Sequence, residues 1–208
     1  MQTTEVTNRQ SDSITPGATP APLLLVGPAL MAGYGVARLI GKAAGDYGPG
    51  VWWSVAHLLF LAGVLAFVPV FLGLRLPAQV RGGRRTGVRV AAGIGLLGAA
   101  AVAVQAVIDL VVGFLAADAE AMSDMFEKVQ GAPGVMPAVY TVVPMLFWLG
   151  LLALVTQLAF FRRDEVPGRS PLLVLAGIVM MAMSLDLLAA GALCLGLALY
   201  PVRRGLRG

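Results

Sequence analysis

"VWWSVAHLLFLAGVLAFVPVFLGL", residues 51–74, contains no lysine, arginine, aspartate or glutamate. A helix rises about 1.5 Å per residue, so this run outreaches the roughly 30 Å hydrocarbon core of a bilayer. The core of a soluble domain uses shorter apolar runs. Four more blocks of similar character lie around it, at about 22–41, 88–116, 137–161 and 171–201. The fold class that follows is all-α, a polytopic transmembrane helix bundle of five spans. Composition agrees. The 208 residues are 58% hydrophobic and 12% charged, with mean hydropathy +0.84, whereas soluble domains carry about 25% charged residues. There is no room for a separate soluble domain. The expected location is the plasma membrane, crossed several times.

Residues 1–20 are polar, mixed in charge and rich in Thr, Pro and Gly, which reads as a disordered tail. They lack the charged segment leading into a short apolar core that marks a signal peptide. The net charge of +4 would suggest nucleic acid in a soluble chain. Here the basic residues sit in connections, where they set orientation, so no nucleic-acid partner is expected. Arg75, Arg81, Arg84, Arg85 and Arg89 lie between the second and third spans, and Arg162, Arg163 and Arg169 between the fourth and fifth. Both connections are expected in the cytoplasm. The acidic connection "AADAEAMSDMFEKVQGAPG", 116–134, is expected outside. Five crossings then leave the C-terminus outside, against the basic "RRGLRG" at 203–208. Residues 170–202 are too few for two ordinary spans. One long helix is the expectation, with a broken or re-entrant one as the alternative.

Some patterns carry less than they suggest. "GIGLLG", Gly93 to Gly98, matches a nucleotide-binding fingerprint but lies inside an apolar helix without the strand that fingerprint needs. Gly95, Ala99 and Ala103 instead form a small-residue stripe for close helix packing. Cys194 is the only cysteine and His57 the only histidine. No metal site and no cofactor are expected. "AMSDMFEKVQ", 121–130, gathers Met122, Met125, Phe126 and Val129 on one helical face. It reads as a short external helix, lying on the interface, packing on the bundle end, or acting as a lid.

The informative residues are polar groups at membrane depth. Asp186, in "MAMSLDLLAAGA" (181–192), is placed near the middle of the fifth span with no cation at its depth, so it is expected to be held neutral. Asp109 and Gln105 share a face of the third span, about 10 Å below the outer boundary for Asp109. His57 lies one turn below Trp53. Tyr34, Tyr140 and Trp148 face the same outer half. Each has a simpler alternative: Trp52 and Trp53 as interfacial anchors, His57 as a core histidine, and Arg38 as either snorkelling to the headgroups or pairing with Asp109. Asp186 and Asp109 are the candidate catalytic acids. His57, Gln105, Trp53, Tyr34, Trp148 and Tyr140 are the candidate substrate-binding residues of an outward-facing pocket.

"WSVAHLLFLAGVLAFVPVFLGLR", Trp53 to Arg75, resembles a type of actinobacterial polytopic membrane protein. A Trp and a His four residues on are followed by an apolar run, a Pro and an Arg-terminated helix end. That resemblance implies topology alone. In size, span number and intramembrane acids the chain also resembles the small bacterial integral-membrane terpene cyclases of indole-sesquiterpenoid pathways. This second resemblance implies acid-initiated cyclisation of a prenyl chain and carries no residue assignment. An apolar substrate would partition into the membrane, an intramembrane Asp would protonate an alkene or epoxide, and Trp148, Trp53 or Tyr34 would steady a carbocation. Expected partners are therefore a lipid or isoprenoid small molecule and the membrane. A non-catalytic assembly or immunity factor and a small proton-coupled carrier are the competing readings. The carrier is disfavoured because the chain lacks the internal repeat common in such folds.

Overall fold

The apolar blocks become helices wherever turn chemistry bounds them. In the computed structural model, residues 22–46, 48–73, 83–161, 163 and 166–205 are described. The expected tail at 1–20 and the residues Arg75, Arg81 and Arg162 lie outside them. Seven α-helices follow in order: α1 (Leu23–Ala43), α2 (Val51–Gly73), α3 (Gly83–Leu115), α4 (Ala119–Gly131), α5 (Val142–Phe161), α6 (Arg169–Met183) and α7 (Leu188–Gly205). A π-helical turn, Met136–Tyr140, leads into α5, and a 3-10 turn, Leu185–Leu187, joins α6 to α7. No strand occurs among the described residues. Five segments are long and apolar enough to cross a membrane: Leu23–Ala43, Val51–Gly73, Arg85–Leu115, Met136–Phe161 and Leu185–Arg203. The protein is a multi-pass membrane helix bundle.

The fifth span departs from the expected single helix. Ser184 is extended (φ −161°, ψ 138°) and ends α6. Its hydroxyl accepts a hydrogen bond from the Asp186 amide at 3.1 Å, starting the next helical segment. The two halves fold back on each other. Gly177 and Gly191, seven residues either side of Ser184, meet so closely that a Cβ on either would lie 2.7 Å from the other's carbonyl oxygen. Without side chains there, the backbones touch, as small residues allow between membrane helices. At 15 residues α6 reaches about 22 Å, short for a full crossing but long enough to run beside most of α7.

This hairpin removes the disagreement over the C-terminus. Because α7 runs antiparallel to α6, its last turn with Arg203 returns to the end of the bundle where Arg169 begins α6. Reporters fused after residue 208 and inserted in the basic connection between α2 and α3 are therefore expected on the same side of the membrane. Opposite sides in a protease-protection or reporter-activity assay would restore the single long helix.

The helices close a ring in which α1, α2, α3, α5, α6 and α7 each pack on the next, and α7 packs on α1. Lipid tails offer no hydrophobic drive between helices, so shape complementarity must hold them together. Gly95 makes room for the Phe71 ring, and Gly98 lies against the backbone of Phe147. Phe147 then meets Phe67 and Phe71 edge to face at 5.3 and 5.7 Å, and Phe67 and Phe71 lie tilted to each other at 6.5 Å. With Leu154, Leu195 and Leu199 they form a fully buried apolar core. Leu72, Leu97, Met145, Phe160 and Leu193 point outward and are well exposed, the surface that lipid tails would cover.

One end of the ring gathers the α1–α2 connection, α4, the π-turn and the α6–α7 tip. Gly45 takes φ +74° there. Its amide and that of Asp46 return to the carbonyls of Lys42 and Gly41, closing α1 with a Schellman cap. Asp118 caps α4, accepting from the Ala121 amide at 2.8 Å.

Candidate functional site

Six residues after the start of α2, and six before the end of α3, His57 and Asp109 reach the same depth, about 9 Å into the bundle. Both are buried. His57 Nδ1 lies 2.8 Å from the Trp53 carbonyl. A carbonyl only accepts, so Nδ1 carries the hydrogen. That leaves Nε2 facing Asp109 Oδ2 at 3.7 Å. The separation exceeds a hydrogen bond, so the two groups are within electrostatic reach with a short gap between them.

Asp109 is held from two other directions. The Trp53 indole N–H donates to its backbone carbonyl at 2.9 Å. The Tyr140 hydroxyl, from the last residue of the π-turn, donates to Oδ1 at 3.4 Å. Such turns recur at functional sites, where the wider ring re-aims a side chain. Rings enclose the histidine. Trp53 stacks on it at 4.1 Å, and Tyr34 meets it edge-on at 5.6 Å. Phe126 of α4 lies 6.0 Å from Trp53, so α4 packs on the bundle end above the pair. Gly113 is needed beneath, since a Cβ there would strike the Trp53 indole.

A cavity of about 220 Å³ opens between α1 and α2 at this end. Its walls include Tyr34, Arg38 and Lys42 from one face of α1, and Trp52, Trp53 and His57 from α2. Asp46 stands near its mouth, after the last turn of α1. The opposite half of the bundle is filled by the Phe67, Phe71 and Phe147 cluster. Among the described residues, no group of three His, Cys, Asp or Glu side chains is placed to hold a metal ion.

The structure brings together Asp109, His57, Trp53, Tyr34 and Tyr140. It leaves three other sequence candidates apart. Asp186 is the largest correction. It sits on the hairpin tip with its side chain 38% exposed, and Lys42 Nζ approaches its carboxylate to 2.5 Å. It is a surface ion pair at the rim, and the expectation of a neutral acid in mid-membrane fails because the helix breaks two residues earlier. Trp148 is half-buried against the core, edge-on to Phe147 at 4.7 Å. Gln105 is half-buried one turn below Asp109 and does not line the cavity. The Arg38–Asp109 pairing is likewise replaced: the acid faces α2, while Arg38 lines the cavity beside Tyr34.

Lys42 escaped the sequence reading, although Tyr34, Arg38 and Lys42 recur every four residues and so share one helical face. The break also had a signal. Ser184 two residues before Asp186 is a helix-start pattern, masked by apolar residues on both sides. No family model, no curated protein and no solved structure matches this chain.

Proposed function

We propose that this chain is a plasma-membrane enzyme that moves a proton to or from a lipid or isoprenoid small molecule, with His57 and Asp109 as the exchanging pair. One observation carries the reading: His57, its tautomer set by the Trp53 carbonyl, stands at the wall of an open cavity with Nε2 turned to a buried carboxyl. Intramembrane ionisable groups mark function by default. Burying a net charge here is costly, so the pair is best read as holding one proton between Nε2 and the carboxyl. A positioned acid–base pair of this kind supplies about 10²–10⁴-fold in rate.

Protonation of a prenyl alkene is one reaction that suits it. The proton forms the new C–H bond with the π electrons, and a second alkene closes on the resulting cation. Loss of a proton back to the pair completes an isomerisation that needs no co-reactant. Tyr34 and Trp53 offer ring faces in the same cavity. Arg38, which has no ion pair among the described residues, opposes a free cation, so the substrate's own charge must offset it.

A second reading has its own support. Asp109 joins α3 to α2 and to the π-turn through three side chains, which is also what a purely structural polar knot would do. Turnover separates the two. Membranes carrying the protein are to be incubated with labelled prenyl alcohols, prenyl epoxides and prenyl phosphates. Conversion is expected, lost in Asp109→Asn and kept in Asp186→Asn. Full conversion by both Asp109→Asn and His57→Gln would leave only the structural knot.

A further inference from the structure

Of the two basic side chains that line the cavity, Lys42 and Arg38, only Arg38 lacks an ion pair among the described residues. Asp109 faces His57, and Lys42 is taken by Asp186. The Arg38 Nε is buried without a hydrogen-bond partner, and the side chain lines the cavity one turn below Lys42. Arg38 lies five residues from the end of α1, close to the depth of His57. A guanidinium at that depth is costly without a counter-charge. Its planar fork is suited to accept a carboxylate or phosphate through two parallel hydrogen bonds.

We infer that this cavity receives the anionic head, phosphate or carboxylate, of an amphipathic molecule, with Arg38 as the principal contact. The volume, about 220 Å³, accommodates such a head and its first few carbons and excludes a whole lipid. Tyr34, Trp52 and Trp53 supply apolar walls beside the head. Lys42 is held by Asp186, which leaves Arg38 as the anion-receptive position of the cavity. The inference deepens the proposed function, resting on it only for the claim that the bound molecule is the one His57 and Asp109 act on.

The test is binding of dodecyl phosphate to the purified full chain, read by quenching of tryptophan fluorescence, with inorganic phosphate and dodecyl maltoside as comparisons. Saturable binding of dodecyl phosphate is expected, weakened about tenfold or more in Arg38→Gln and partly restored in Arg38→Lys. Thermal midpoints of both variants establish that they are folded. Tighter binding of dodecyl phosphate than of inorganic phosphate assigns the head to an amphiphile, and equal binding assigns it to the free anion. Unchanged binding in a folded Arg38→Gln, or equal response to dodecyl maltoside, overturns the inference. Asp109→Asn separates the two claims: it is expected to bind the probe normally while losing turnover. Retained turnover there would sink the proposed chemistry and leave the anion site standing.

Discussion

Asp109→Asn is expected to lower turnover by about 10²–10⁴-fold while the protein stays folded. The amide keeps the shape of the carboxyl and can still accept from Tyr140, now 3.4 Å from Oδ1. The Trp53 indole bond is untouched, because it ends on the backbone carbonyl. Polar contacts between membrane helices contribute on the order of 0.6–2 kcal/mol each, and only the contact to His57 changes character. The thermal midpoint should therefore move little. An amide cannot pass a proton to Nε2, however, and the exchange stops. His57→Gln should lose comparable turnover, and the double variant little more, since the two act as one unit. Equal fractional losses of folded protein and of activity would point to the structural knot instead.

The same pair shows which features were open to sequence reasoning. Depth was readable: counting residues from the ends of two apolar runs put His57 and Asp109 in the same outer half. Azimuth was not. A helix's rotation about its axis is set by packing between neighbours, here by Gly95 and Gly98 against Phe71 and Phe147. Asp109 therefore turned to His57, and Arg38 was left to the cavity. Trp148 shows the same limit, having the right end of α5 but the core-facing side. The hairpin was hidden for another reason. Apolar residues flank Ser184 and Asp186 closely on both sides, with neither Gly nor Pro at the turn, so hydropathy averaged over a span reports one element. Only the Ser184 cap marks the break, and the basic C-terminus marks its consequence.

The reversal of Asp186 follows from that turn. A carboxylate in the middle of the roughly 30 Å hydrocarbon core needs a function or a partner. On a turn at the end of two shorter helices it needs neither, and Lys42 is at hand. The functional argument moves from Asp186 to Asp109, which remains buried.

Gly98→Val is expected to give no stably folded bundle. A Cβ at Gly98 lands on the backbone nitrogen of Phe147, and lies 2.6 Å from both the Leu146 carbonyl carbon and Phe147 Cα. These are main-chain atoms of α5, so no rotamer change can clear them. Ordinary overpacking costs about 1–3 kcal/mol because side chains yield. Here two helices must part, and the Phe67–Phe71–Phe147 cluster parts with them. Three neighbouring substitutions calibrate the claim. Gly95→Ala meets the Phe71 ring, with Cζ at 2.6 Å, and a ring can turn, so a smaller loss is expected. Gly150→Ala approaches the Gly95 backbone and the Ala91 carbonyl oxygen at 2.8 Å, and should resemble Gly98→Val. Gly93→Ala meets nothing and should be neutral, or stabilising by up to about 1 kcal/mol through helix propensity. Thermal midpoints in detergent should fall in that order, from Gly93→Ala down to Gly98→Val. If Gly98→Val instead melts with Gly93→Ala, α3 and α5 do not pack through this face, and the site that depends on their register loses its support.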